Sequence, residues 1–178
     1  MTTSFRRPLP ARVPQTGPWN CWAASFQAWN QANGFTRGVP SQAETMALLS
    51  PVQSWLNSAT GGATEAGIRT LIHLGFMEMD IVGQGRLTCD YMYKRLQRGY
   101  VYLAYKPAFD GGSSGHVVVV YGVDAGGIYV VDPDVATCYP ARIPEDWMAR
   151  RTSAIVGVPI LGPFTNITNP FAGMTTRS

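Results

Sequence analysis

The segments before and after Gly99 carry different secondary-structure signals, and this contrast narrows the choice of fold most strongly. Before Gly99, capping residues and glycine stops divide the chain into four stretches typical of helices. After it, runs of β-branched and aromatic residues are typical of strands. We therefore predict an α+β domain in which a helical N-terminal half packs on an antiparallel sheet.

Local signals set the boundaries of these elements. Ser41 and Glu44 have the spacing of a capping box, and Gly34 and Gly75 follow predicted helices as C-terminal caps. The glycine-containing turn at residues 125–127 predicts an antiparallel hairpin. The predicted helices cover about residues 21–33, 41–49, 64–74, 88–98 and 144–150. The predicted strands cover about residues 100–105, 117–123, 128–131 and 154–158.

Length and composition fit one folded domain with short flanking segments. The chain has 178 residues, of which 46% are hydrophobic and 14% charged, so it is neither a disordered chain nor a highly charged coiled coil. Residues 1–14 are rich in Pro and Arg and are an expected extended lead-in. Residues 15–162 are the predicted domain, and residues 163–178 are a predicted loose tail.

Charge and hydropathy argue against two classes of function. The net charge of +3 is small and the basic residues are scattered, so we do not expect binding to nucleic acid. No apolar run has the length of a membrane span. Arg6 and Arg7 are not followed by an apolar stretch, so the N-terminus does not resemble a Sec signal peptide. Any export would therefore use another route.

The cysteine pattern favours a free thiol. Cys21, Cys89 and Cys138 are an odd number without a C-x-x-C pair, which does not suit a disulfide framework. The chain has only two histidines, so a closed zinc site would need an unusual ligand set. We therefore expect no metal and no organic cofactor.

The surroundings of Cys21 predict a reactive thiol. Asn20 is a predicted N-cap, which places Cys21 at the first position of a helix. The positive end of the helix dipole and the unpaired amides favour a thiolate there and can stabilise an oxyanion. Gln15, six residues upstream across a Gly-Pro-containing loop, is a candidate for the second oxyanion donor.

A cysteine nucleophile needs a base, and the base needs a group that orients it. His116 follows a glycine-rich loop and opens a predicted strand. Asp132 ends the next strand, so an antiparallel hairpin would bring the two residues to the same open end. Asp124, close to the turn, and Asp134, beyond a proline, are weaker candidates for the orienting role.

These residues resemble the active-site motifs of papain-like cysteine peptidases. That clan has Gln, Cys-Trp, His and Asp or Asn in this order, with a six-residue step from Gln15 to Cys21 and a sixteen-residue step from His116 to Asp132 here. Residues 115–124 and 129–133 are similar to the bacterial C39-like and AvrRpt2-like branches, which carry Asp where papain carries Asn. Pro18 stands where papain has a second cysteine.

The resemblance implies a papain-like fold and a thiol peptidase that cleaves a protein or peptide substrate through an acyl-enzyme. It makes Cys21 the nucleophile, His116 the general base and acid, Asp132 the orienting residue and Gln15 the oxyanion donor. The AvrRpt2-like branch further implies a bacterial effector or toxin, made in the cytoplasm, exported without a Sec signal and injected into a target cell. An antibacterial toxin would need a cognate immunity protein.

Other functions stay open at this point. C39-like relatives remove leader peptides after a double glycine. Some papain-like folds are deamidases or acyltransferases, because the same triad can serve another acceptor. A catalytically inactive binding module is a further alternative.

The remaining candidates have less support. Cys89 and Cys138 are predicted to be structural, and His73 is predicted to be a satisfied or partly exposed helix residue. Residues 166–168 fit a glycosylation acceptor pattern without other signs of a eukaryotic secretory context. Tryptophans near the nucleophile fit core positions better than a substrate groove, and these are Trp19, Trp22 and Trp29.

Overall fold

The computed structural model of the chain describes residues 4–34, 39–57, 60–75, 77–105, 115–134, 140–150 and 153–160. Within these ranges the chain forms five helices and seven strands. The helices are α1 Cys21–Ala32, α2 Gln42–Leu49, α3 Glu65–Leu74, α4 Cys89–Leu96 and α5 Glu145–Ala149. The strands are β1 Phe5–Arg6, β2 Met77–Gly83, β3 Val101–Tyr105, β4 His116–Asp124, β5 Gly127–Val131, β6 Pro140–Pro144 and β7 Ser153–Pro159.

An antiparallel sheet forms the centre of the molecule. Its strand order is β2-β7-β3-β4-β5-β6, and β1 pairs with β4 beside this path at Phe5↔Val123 and Arg6↔Gly122. A Cβ at Gly122 would lie 2.8 Å from the Arg6 Cγ, so the missing side chain permits the close approach of β1. The register between β4 and β5 shifts between Val120 and Gly122, as at a β-bulge.

The sheet separates two hydrophobic cores. Alternate residues of β3 point to opposite sides, with Tyr102 and Ala104 in one core and Leu103 and Tyr105 in the other. Helices α1, α2 and α3 cover the first side, which we call the α1 face. Helices α4 and α5 cover the second side, which we call the α4 face.

The predicted α+β fold, with the Cys21 helix packed on an antiparallel sheet, is confirmed. Each predicted helix and strand is present, with ends that differ by a few residues. The first half is mainly helical, as predicted, but it also contains β1 and β2, which the sequence did not predict. The sequence also did not predict β6, whose Pro140 and Pro144 weaken a strand signal. At the edge of a sheet, however, a missing N–H need not cost a ladder hydrogen bond.

The structure describes part of the predicted lead-in and none of the predicted tail. The described part of the lead-in is extended, and its Phe5–Arg6 segment joins the sheet as β1. Residues 163–178 lie outside the described residues, so the loose tail stays a prediction. None of the described helices is long and apolar enough to cross a membrane.

Candidate active site

Cys21 occupies the first position of α1. Its side chain is buried, and its amide has no backbone acceptor within the described ranges. Asn20 is the N-cap residue, as predicted, but its side chain makes no capping hydrogen bond, and its Nδ2 donates to Thr16 Oγ1 at 3.2 Å instead. The Asn20 carbonyl accepts the amides of Ala23 and Ala24, each at 3.0 Å. The helix start therefore leaves the Cys21 amide available to a substrate oxygen.

Hydrogen bonds from buried side chains fix α1 on the sheet. They join Ser25 Oγ to the Val117 carbonyl at 2.9 Å, Trp29 Nε1 to the Tyr100 carbonyl at 2.7 Å, and the Tyr102 hydroxyl to the Trp22 carbonyl at 3.0 Å. Such bonds are strong and directional in a dry core. Val117 directly follows His116, so the bond from Ser25 sets the distance between α1 and the start of β4.

His116 is the first residue of β4 and lies at the open end of the β4–β5 hairpin. Its Nε2 lies 2.8 Å from Asp132 Oδ1, and the Cys21 side chain is close enough to the ring to interact with it. Tyr105 packs edge-on against the imidazole, with ring centroids 5.8 Å apart and planes at 73°. Asp132 Oδ1 also accepts the Asp134 amide at 2.9 Å. The structure thus brings Cys21, His116 and Asp132 together at one site.

The electrostatic surroundings favour a protonated His116. Burial by itself would lower the pKa of this imidazole, but the hydrogen bonds with Asp132 and Cys21 and the charges of both raise the pKa to about 10. Burial would raise the pKa of Asp132, whereas the hydrogen bond with His116 and the charge of its ring lower it. The lower pKa is the net result, so an ionised carboxylate faces a cationic imidazole.

Two other acids were candidates for the orienting role. Asp124 lies at the far end of β4, where its carboxylate pairs with Arg142 at 2.7 Å and accepts the Gly126 amide at 2.8 Å. These contacts, and the one with Arg142 above all, hold the pKa of Asp124 well below its usual range. Asp134 lines the cleft, and its amide hydrogen-bonds Asp132. Within the described ranges, the carboxylate that hydrogen-bonds His116 is that of Asp132.

Gln15 lies at the same site. Its amide donates to the Pro133 carbonyl at 2.8 Å, next to Asp132. Its side chain lines the cleft beside Cys21, and its Oε1 is buried without a hydrogen-bond partner among the described residues. A buried polar group of this kind usually finds a partner in a ligand or in water. The Gln15 Oε1 can therefore accept a hydrogen bond from a ligand or from water, and the role of the side-chain N–H as oxyanion donor stays a prediction.

A cleft of about 730 Å³ runs between α3 and the sheet and ends at these residues. One wall comes from Thr60, residues 62–65 and Ile68, and the opposite wall comes from strands of the sheet, with Ile81, Ala104 and Ile155. Both walls are therefore largely apolar or uncharged. No group of three or more His, Cys, Asp or Glu side chains that could hold a metal ion occurs within the described ranges.

The other residues singled out by the sequence lie elsewhere. His73 is exposed on α3, and Cys89 is buried, where burial first and then the nearby Glu145 raise the pKa of its thiol to about 11. Cys138 and residues 166–168 lie outside the described residues. Trp22 and Trp29 are core residues, as expected. The prediction for Trp19 is wrong, because it is 40% exposed and lines the cleft.

The sequence did not single out three residues that support the site. Ser25 lies one turn after Cys21, and this spacing alone could have indicated a contact with the strand of the base. Tyr105 contacts the imidazole because β3 pairs with β4 at Tyr105↔His116. Gln42 approaches the Gln15 loop from α2, and no local signal in the sequence reveals that contact.

The sequence matches the pattern of a known family over most of its length. The family is described as papain-like cysteine protease AvrRpt2, and the match covers residues 3–142. The matched part includes Gln15, Cys21, His116 and Asp132. No curated protein sequence gives a significant match.

Solved structures of peptidase domains have a similar fold. The peptidase domain of Streptococcus ComA, a bi-functional ABC transporter involved in a quorum-sensing pathway, has a TM-score of 0.58 at 22% identity, covering 83% of this chain and 96% of its own. A C39-like peptidase from Bacillus anthracis has a TM-score of 0.56 at 14% identity, covering 88% of this chain and 98% of its own. The predicted papain-like fold is therefore confirmed.

Proposed function

We propose that this chain, which belongs to the AvrRpt2 family of papain-like cysteine proteases, cleaves a specific protein substrate with Cys21 as the nucleophile. The observation that carries the proposal is that Cys21 and His116 line the same cleft and interact there, while Asp132 hydrogen-bonds the His116 ring. A volume of about 730 Å³ is within the range of sites that bury most of a bound ligand.

In the proposed acylation step, the Cys21 sulfur attacks the scissile carbonyl carbon as a thiolate. A C–S bond forms, and the carbonyl π electrons move to the oxygen. The Cys21 amide and the Gln15 side chain donate hydrogen bonds to this oxyanion. When the C–N bond breaks, protonated His116 gives its proton to the leaving amine. The products are a thioester on Cys21 and a free amine.

In the proposed deacylation step, neutral His116 takes a proton from water, and the water oxygen attacks the thioester. The C–S bond then breaks, and the sulfur leaves as the thiolate beside a protonated imidazole. Asp132 holds Nε2 of His116, which leaves the other ring nitrogen for the sulfur and the water. This arrangement supports one base that serves both steps.

The biological role that we propose is that of a bacterial effector or toxin. Such a protein would be made in the bacterial cytoplasm, exported, and injected into a target cell, where it would cut one protein. The support for this role is the resemblance to AvrRpt2-like proteins. If the target cell is a bacterium, the producing cell needs an immunity protein that blocks the cleft.

The decisive experiment compares wild-type protein with Cys21→Ala in bacterial and host cells, followed by proteomics of new N-termini. We expect new N-termini that depend on Cys21. The matched control is Cys89→Ala, which removes the other described thiol. Cys89 does not line the cleft, so this variant should keep the cleavage pattern. If Cys21→Ala leaves the pattern of N-termini unchanged, the proposal is wrong.

The same samples also test the alternative functions, namely deamidase, acyltransferase and double-glycine leader peptidase. A deamidase would add about one dalton to glutamine-containing peptides without new N-termini, and an acyltransferase would give cross-linked or acylated products. A double-glycine leader peptidase would give N-termini that all follow two glycines. A broad set of unrelated N-termini would contradict the proposed single target.

A further inference from the structure

We propose that Gln42 is a positioning residue, which holds the Gln15 loop so that the Gln15 side chain is directed at the oxyanion. This inference rests on the proposed function, because it needs Gln15 to donate a hydrogen bond in catalysis. Gln42 belongs to another helix, α2, and does not line the cleft. Among the described residues, it makes no hydrogen bond with Cys21 or His116.

The first support is the burial of Gln42. Glutamine is usually exposed, yet Gln42 is 8% exposed at the first position of α2. The preceding Ser41 starts this helix with a capping box, in which Ser41 and Glu44 satisfy each other's backbone amides. The capping box fixes the backbone of Gln42 and therefore the direction from which its side chain leaves the helix.

The second support is the hydrogen bonding of the Gln42 amide. Its Nε2 donates to the Pro14 carbonyl at 2.8 Å. Its Oε1 accepts the Thr16 amide at 3.0 Å and the Thr16 hydroxyl at 3.2 Å. Gln42 thus binds the residue before Gln15 and the residue after it, with both ends of one planar amide. A lateral shift of Gln15 would stretch at least one of these bonds.

The third support is the way these bonds continue to the nucleophile. Gln15 itself donates its amide to the Pro133 carbonyl at 2.8 Å, next to Asp132. Thr16 Oγ1 accepts from Asn20 Nδ2 at 3.2 Å, next to Cys21. Gln42 therefore stabilises a loop whose other contacts lead to the start of α1 and to the orienting acid. The backbone of the loop is held, while the Gln15 side chain is left unbonded at Oε1.

The geometry predicts a specific kinetic effect. Removing one oxyanion donor costs about 100-fold to 1,000-fold in kcat, and a donor that is displaced by about 1 Å loses a large part of that effect. Gln42→Met keeps the length of the side chain but removes all three hydrogen bonds. We expect kcat to fall by about 10-fold to 100-fold, with KM within about threefold of wild type.

Three measurements separate positioning from loss of structure. Alkylation of Cys21 by iodoacetamide needs the sulfur and His116 but no oxyanion donor, so Gln42→Met should keep the wild-type rate. In Gln42→Met, hydrogen exchange of the Gln15 backbone amide, measured by NMR, should be faster than in the wild type, although this amide bonds to Pro133 and not to Gln42. In a Gln15→Ala background, Gln42→Met should cause no further loss of kcat. The matched control is Gln31→Met on an exposed face of α1, with no expected effect.

A milder variant keeps the test valid if Gln42→Met does not fold. Thr16→Val removes only the hydroxyl contacts from an exposed residue, and we expect the same pattern with a kcat loss of about twofold to fivefold. The proposal is overturned if kcat is unchanged, if the alkylation rate falls in parallel with kcat, or if the effects of Gln15→Ala and Gln42→Met simply add. If the wild type cleaves no peptide, the proposed function fails, and Gln15 amide exchange still decides whether Gln42 holds the loop.

Discussion

The two faces of the sheet are built from different interactions. The α1 face contains five buried polar side chains, all within or next to α1 and α2, namely Ser25, Asn30, Asn33, Gln42 and Thr45. The α4 face contains no buried Ser, Thr, Asn, Gln or charged side chain within the described ranges. Its polar contacts include ion pairs at partly exposed positions, which join Arg95 of α4 and the following Arg98 to acidic residues of β2.

This difference follows from what each face must hold. Cys21 and His116 come from a helix and a strand, so their distance depends on how α1 sits on β4. Hydrogen bonds between buried groups depend strongly on distance and angle, whereas apolar contacts tolerate small shifts and repacking. The α1 face therefore uses directional bonds where the geometry of the site depends on them.

The same face also carries a cost in stability. Gln15 Oε1 and Trp22 Nε1 are buried and have no hydrogen-bond partner among the described residues. A buried polar group without a partner destabilises a protein by about 1–3 kcal/mol. Both residues line the cleft, so a bound substrate or water can supply the missing partners. The α4 face, with its apolar core, then mainly provides stability, and its contact with the site is the packing of Tyr105 against His116.

A matched pair of core truncations tests this separation. Leu96 of α4 and Leu71 of α3 are both fully buried, on opposite faces of the sheet. We expect Leu96→Ala and Leu71→Ala each to lower the free energy of unfolding by about 3 kcal/mol, because each loses apolar contacts and leaves a cavity. Only Leu71→Ala should also raise KM, because α3 forms a wall of the cleft.

Urea denaturation measures the stability of both variants, and steady-state kinetics well below their melting temperatures measure KM and kcat of the folded enzyme. The comparison of the faces breaks down if Leu96→Ala changes KM as much as Leu71→Ala does. It is sharpened if the two variants lose equal stability but differ in KM.

Asp132→Ala tests the electrostatic part of the site. Its carboxylate orients His116 and does not react, so we expect kcat/KM to fall by about 100-fold, less than for Cys21→Ala or His116→Ala. The carboxylate also raises the pKa of His116, which is about 10 in the wild type. Without it the pKa falls, and the alkaline limb of the pH–rate profile moves to lower pH, because the protonated imidazole is lost earlier.

The same pKa has a consequence for stability. Because the pKa of His116 in the folded protein lies above its ordinary value of 6.5, protonation favours the folded state. This contribution is fully present below about pH 6.5 and is lost as the pH rises through about 10. Melting temperatures measured from pH 6 to 10 should therefore fall more for the wild type than for Asp132→Ala. An alkaline limb at the same pH in both proteins contradicts this assignment.

The parts of the fold that were predicted from sequence depend on local signals. The capping box of Ser41 and Glu44 is present, and Thr64 and Thr88 cap α3 and α4 through their side chains. The order and register of a hairpin are also local, which is why Asp132 could be preferred to Asp124. β2 could have been predicted too, because Met77–Gly83 alternates apolar and acidic residues at its start.

The parts that were missed depend on contacts between distant segments. Asn20 looks like a cap in the sequence, yet Thr16 takes its side chain. Gln42 looks like an exposed helix residue, yet it binds a loop 26 and 28 residues earlier in the chain. Such contacts are set by how α1, α2 and the lead-in pack together, and that packing leaves no pattern in the local sequence. The catalytic roles themselves stay predictions until the variants are measured.

The smallest expected effect concerns the ion pairs of the α4 face. Glu78 pairs with Arg98 at 2.7 Å and with Arg95 at 3.3 Å, and its side chain is 48% exposed. Its hydrogen bond with Arg98 is the main cause of its lowered pKa, so its contribution to stability is present above about pH 4.5 and is lost as the pH falls below that value. We expect Glu78→Gln to lower the free energy of unfolding by less than about 1 kcal/mol and to leave kcat unchanged.

Asp90→Asn is the control, since its pair with Lys94 is 70% exposed on the Asp90 side and should contribute less still. A fall in kcat for Glu78→Gln would mean that the α4 face also sets the geometry of the site.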